Sequence, residues 1–285
     1  MAQILNGAPV AAALNEKTRT AVRRLRENGV VPTLAIVRVG ERADDLSYER
    51  SAAKRAAELD AEVRRCALPA DISPDIFEAE LGKLCRDDSV HGILLMRPLP
   101  RHLDEAAACR MLPPEKDVDG CSEASFAGVF MNSGVGFAPC TAQAAMEMLD
   151  YYSIPCTGKR AAVVGRSLVV GRPAAMLLMH RNATVTVCHT RTKDVPAVTR
   201  EAEIVIAATG QMEGIDGTYF APDAVVLDVG IHWNEKTGKL CGDVDFADAE
   251  PAVRAITPVP GGVGSVTTAV LFSHVVQSAE RKCGQ

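Results

Sequence analysis

The stretch SYERSAAK (47–54) places a tyrosine and a lysine six positions apart within a helical pattern. A buried phenol beside an ammonium group can form an acid–base site, because each group tunes the other's proton. At about 100° per residue, position i+4 lies about 40° from Tyr48 around a helix, whereas i+6 lies about 240° away. The spacing therefore predicts that Lys54 points away from the tyrosine's face and that Ala52 is the neighbour on it. Arg55, at i+7, returns to that face two turns on, too far to act directly without rearrangement.

Three further groups carry possible chemistry. Asp119, in PEKDVDG (114–120), is either a ligand-binding carboxylate or a turn former, since Asp-Gly favours turns. GRSLVVGRP (165–173) joins an apolar strand to a helical pattern, where exposed N–H groups and the helix dipole suit a phosphate. Gly165 lets the chain turn, Ser167 offers a hydroxyl, and Gly171 permits close approach; a plain αβ turn would look similar. The strand that follows, ATVTVC, ends in His189-Thr190-Arg191 with no carboxylate for a ribose 2′-OH. With Arg166 close by, this favours NADP over NAD, although an arginine at a strand end can also be merely solvated. Gly261 and Gly262, before the last helix, are either an ordinary loop or a point of close backbone approach.

Layers of strand and helix must position these residues. PTLAIVRVG (32–40), AEVRRCALP (61–69) and HGILLMRPLP (91–100) read as strands, with helices over 44–60 and 73–87, the latter opened by a Ser cap and Pro74. The stretch 111–141 is rich in Pro, Gly and acidic residues and reads as a long functional loop, followed by a helix over 142–152. Residues 159–192 have the size of a βαβ unit, then come strands at 203–210 and 224–231 and a last helix over 265–280. This alternation is that of an α/β protein with two α/β lobes, the second a Rossmann-type domain on a parallel sheet.

Bulk properties narrow the function further. Of 285 residues, 47% are hydrophobic, 24% charged and 4% aromatic, with net charge −5, so nothing points to nucleic-acid or membrane-surface binding. No apolar run reaches the length of a membrane span, and the N-terminus reads as an amphipathic helix rather than a signal peptide. Nine cysteines stand singly without CxxC or metal-ligand spacing, which predicts free thiols in a reducing cytoplasm and no metal. Cys121 and Cys140 flank the proposed cleft, with no partner base in evidence for a nucleophilic role.

Several segments together resemble the bifunctional methylenetetrahydrofolate dehydrogenase/cyclohydrolase (FolD) family: RPLPRHLDE (97–105), PEKDVDG (114–120), PCT (139–141), VVGRSLVVGRP (163–173), ATVTVCHTRT (183–192), ATG (208–210), DVGI (228–231) and TPVPGGVG (257–264). The resemblance implies a folate-binding lobe over 1–141, joined by the C-terminal helix 265–285, facing an NADP-binding lobe over 142–264 across a cleft. It also implies a homodimer. Tyr48 and Asp119 would be catalytic and, with Pro260, Gly261 and Gly262, would bind substrate. Thr141, Gly165, Arg166, Ser167, Gly171, Arg172, Pro173, Arg191, Thr209, Gly210, Ile231 and Thr268 would bind NADP.

The family's hydrolytic lysine, four residues after the tyrosine, falls on Ala52, and the glutamine that holds it falls on Met96, since this chain reads MRPLP. Lys54 matches only a second, non-catalytic lysine. The paired loss is consistent, because a glutamine left without its partner would be a buried, unsatisfied group costing about 1–3 kcal/mol. Ser265-Val266 and Ala142 are further departures, each where the family usually has proline first. The expected function is an NADP-dependent 5,10-methylenetetrahydrofolate dehydrogenase with weak or absent cyclohydrolase activity. The alternatives are ordinary bifunctional activity through other groups, a non-catalytic folate- or NADP-binding paralogue, or a dehydrogenase for another cyclic one-carbon adduct.

Overall fold

A computed structural model describes residues 1–284. The chain divides into two compact units. One comprises Met1–Ala12 with Thr141–Thr267, the other Ala13–Cys140 with the segment from Thr268 onward.

The chain opens with β1 (Gln3–Ile4) and α1 (Gly7–Glu27). In the unit that holds Tyr48, β2 (Thr33–Val39), α2 (Ala43–Glu58), β3 (Glu62–Leu68), α3 (Pro74–Arg86) and β4 (Gly92–Leu95) build a parallel sheet in the order β3-β2-β4. Every residue of the central strand β2 is buried, as a strand covered on both faces requires. Pro98 and Pro100, unable to donate to a ladder, follow a strand four residues long rather than the ten expected. Ser73 precedes Pro74 as expected, but its side chain makes no capping bond.

The stretch 111–141 is not one loop. After α4 (Glu105–Met111) it contains α5 (Glu123–Met131), started by Ser122, whose hydroxyl accepts the Ser125 N–H at 3.2 Å. Asn132 ends α5 in the left-handed conformation. Next comes α6 (Cys140–Tyr151).

The other unit continues with β5 (Arg160–Val164), α7 (Gly171–His180), β6 (Thr184–Cys188), α8 (Val195–Thr199), β7 (Ile204–Ala207) and β8 (Val225–Asp228). A hairpin, β9 (His232–Asn234) and β10 (Lys239–Cys241), α9 (Phe246–Ala249) and β11 (Ala255–Ile256) follow, before α10 (Thr267–Cys283). Six parallel strands run β1-β11-β8-β7-β5-β6. From β5 the chain first adds β6 on one side and then β7 on the other, a reversal that leaves a crevice at the strands' carboxyl ends. β1 pairs with β11, so the first twelve residues belong with this sheet and not with the Tyr48 unit as expected. A two-residue strand carries too little pattern to read from sequence.

From Thr268, α10 belongs to the Tyr48 unit, where Ser278 donates to the Glu115 carbonyl at 2.6 Å and His274 contacts the Val118 carbonyl at 2.9 Å. All nine cysteines are free. Among the described residues no helix is long and apolar enough to cross a membrane, and no cluster of His, Cys, Asp or Glu could hold a metal.

Candidate functional site

On α2 the buried residues are Asp45, Glu49, Ala52 and Ala56, the three- and four-residue spacing of a helix face turned to a core. Glu49 fixes this face: its carboxylate pairs with Arg38 of β2 at 3.2 Å and Arg65 of β3 at 2.9 Å. Tyr48 is half-buried beside it, Ala52 is fully buried and Lys54 is exposed. Arg55 is held by Glu58 at 2.9 Å.

The Tyr48 hydroxyl lies beside the side chain of Thr268. Burial, then the nearby Cys140 and Asp119, push the phenol well above its ordinary range. Thr268, expected among the cofactor residues, is thus placed on the tyrosine.

PEKDVDG divides its labour. Lys116 is buried and donates to the carbonyls of Cys85 and Asp87, each at 2.8 Å, satisfying the end of α3. Asp117, fully buried, accepts the N–H groups of Cys121 at 3.0 Å and Ser122 at 2.8 Å. Asp119, half-buried, is not spent on the fold in this way. Burial raises its carboxyl, while Arg97, at 3.6 Å, and the neighbouring Cys140 hold it down. Cys140 is pushed far up by burial and by Asp119, so its thiol stays protonated and donates to the Val118 carbonyl at 3.2 Å. Met96 is buried one residue before Arg97. Arg97 went unassigned in the sequence because a lone arginine before proline carries no signal.

In the other unit, a cavity of ≈ 440 Å³ opens beyond β5, between Gly165–Ser167, His189–Thr190 and Thr209. The turn there is too tight for side chains. A Cβ on Gly165, whose φ is 129°, would lie 1.9 Å from the Ala208 carbonyl oxygen, and one on Gly171 would lie 2.2 Å from that of Gly165. Ser167 accepts the Val170 N–H at 3.1 Å, ordering the loop ahead of α7. None of the cavity's lining residues is Asp or Glu. Its volume and donor-rich, carboxylate-free wall fit part of a phosphorylated dinucleotide.

Arg166, Ser167 and Thr209 line this cavity, whereas Thr141, Arg172, Pro173, Arg191 and Ile231 do not; Gly171 and Gly210 shape its loops. Gly7 packs against the glycine loop, donating to the Gly261 carbonyl at 2.7 Å; Pro260 is exposed and Gly262 buried. Sequence reasoning missed Asp243. Its fully buried carboxylate accepts the Thr209 N–H at 2.5 Å and the Gly210 N–H at 3.0 Å, and contacts His232 at 2.7 Å. Asp228, pushed up to about 6 chiefly by burial, accepts N–H groups of Gly230, Asp243 and Val244. One isolated aspartate per strand end gave no pattern to find.

Residues 5–119 match the family model described as the tetrahydrofolate dehydrogenase/cyclohydrolase catalytic domain, and residues 139–283 match its NAD(P)-binding domain. The chain belongs to this family. It is 50% identical to the bifunctional protein FolD of Carboxydothermus hydrogenoformans over 281 residues, covering 98% of each chain. The crystal structure of the bifunctional FolD of Campylobacter jejuni superposes with TM-score 0.95 at 35% identity, covering 99% of this chain and 100% of that one. The Trypanosoma brucei FolD, complexed with NADP cofactor and inhibitor, gives 0.92 at 33% identity, covering 100% and 99%. Family membership carries an oxidoreductase and hydrolase setting, a tetrahydrofolate substrate class and an NAD(P)-binding Rossmann domain.

Proposed function

We propose that the protein is an NADP-dependent 5,10-methylenetetrahydrofolate dehydrogenase whose cyclohydrolase activity is weak or lost. The carrying observation is the fully buried Ala52 one turn from Tyr48, with Met96 also buried and Lys54 exposed.

Hydride transfer from the methylene carbon asks the protein for positioning more than for an acid or base. NADP, when bound, supplies the hydride acceptor. The turn at Gly165–Ser167, with Arg166 and the carboxylate-free wall, supports holding its phosphates, and NADP is the cofactor of the Trypanosoma brucei relative. Ionised Asp119 holds the pterin through its ring donors, and neutral Tyr48 offers a hydroxyl.

Hydrolysis of the methenyl product differs: water must lose a proton and a ring nitrogen must gain one. A group titrating near neutrality would serve, and Ala52 and Met96 stand where the family's lysine and glutamine would supply it. Tyr48 and Cys140 are raised above their ordinary values, Arg97 is raised too, and Asp119 is engaged by the pterin. Placement in the cytoplasm and homodimer formation complete the reading.

The test restores the missing pair. Ala52→Lys with Met96→Gln should raise methenyltetrahydrofolate hydrolysis at least tenfold, within the range of general acid–base catalysis. Neither change alone should do so, since each leaves one buried polar group unpartnered. Unchanged hydrolysis in a folded double variant that still reduces NADP would count against the reading.

A further inference from the structure

We propose that Arg97 reads the 4-oxo group of a 2-amino-4-oxopteridine, while Asp119 beside it takes the ring's N3–H and 2-amino donors. The proposal rests on the pterin reading above and adds a specificity residue to it.

Arg97 lies two residues beyond β4's apolar end, between Pro98 and the buried Met96. Its Nη2 lies 3.6 Å from the Asp119 Oδ2, close enough for an ion pair but too long for a hydrogen bond. Glu105, the other carboxylate near it, is already engaged, accepting the Leu99 N–H at 2.8 Å. The other groups facing the guanidinium are the thiols of Cys109 and Cys121. Its donors toward Asp119 are therefore unspent.

Asp119 lies beside Cys140, whose thiol donates to the Val118 carbonyl at 3.2 Å, so its carboxylate keeps lone-pair sites for a ligand. The side chains of Arg97 and Asp119 are 23% and 29% exposed, so a ligand reaches both. The paired groups thus offer two acceptor sites beside a fixed donor. The pterin edge is the complement: two adjacent donors, then the C4 carbonyl oxygen. A 4-amino group in that position would set a donor against a permanently charged cation.

A residue that merely neutralised Asp119 would affect all pteridines alike; one that reads the carbonyl discriminates. The experiment is calorimetric titration of the NADP-loaded protein with folic acid and with its 4-amino counterpart. The wild type should favour the 4-oxo ligand by roughly tenfold to a hundredfold, as one charge-assisted bond allows. Arg97→Leu should reduce that ratio to near one, and Arg97→Lys, which keeps the charge without the fork, should retain part of it. NADP affinity, held in the other unit, reports that the variants are folded. An unchanged ratio in Arg97→Leu overturns the role of Arg97 while leaving the pterin reading intact. Failure of the wild type to bind either ligand overturns both.

Discussion

Ala52 carries the account at the scale of single residues. Its position on the tyrosine's face was legible from helix periodicity, and its full burial agrees with that geometry. The electrostatics around it were not legible, because burial and through-space neighbours depend on packing. Asp119 shows the consequence. Since burial raises its carboxyl above the ordinary value of about 3.9, the acid limb of kcat/KM for the folate should fall above that value. A pH profile measured in Asp119→Asn, which cannot ionise, should lack that limb; an identical profile would contradict the assignment. Asp228 gives a test without substrate. Carboxyl NMR should find its midpoint near 6, and a midpoint at the ordinary value would be contrary. Its folded value lies above its unfolded one, so its stabilising contribution is full below about pH 4 and is lost as pH rises to about 6.

Among elements, α2 must hold Tyr48 against a sheet to which Glu49 ties it by two ion pairs. Glu49→Ala would leave the buried Arg38 without its carboxylate and should cost about 3 kcal/mol, read as a lower urea midpoint. The turn before α7 has a different constraint. Gly171→Ala puts a Cβ into the Gly165 carbonyl and should weaken NADP binding about tenfold or more by displacing the loop. Unaltered NADP affinity in this variant would show that the turn yields cheaply. Strand and helix positions along the βαβ unit were legible because apolar runs and glycines mark them. α5 was hidden by the Gly- and Pro-rich sequence on either side, and its start is set by Ser122, held in turn by Asp117. The lesson from PEKDVDG is similar: the motif pointed to Asp119, but only packing shows that Lys116 and Asp117 build the shelf it stands on.

For the whole molecule, the α/β class and the four strands β5, β6, β7 and β8 of the parallel sheet follow from the alternation of apolar runs and helices. The attachment of the first strand to β11 could not, since long-range pairing of two residues has no local signature. Cofactor choice belongs at this scale too, because it draws on several loops at once. Reduction should proceed at least tenfold more efficiently with NADP than with NAD, judged by kcat/KM, as one extra charged contact allows. The most direct test of the central claim is one preparation assayed twice, for NADP reduction by methylenetetrahydrofolate and for hydrolysis of methenyltetrahydrofolate. The account predicts robust reduction with hydrolysis no faster than in buffer, and rapid enzymatic hydrolysis by the unmodified protein would contradict it.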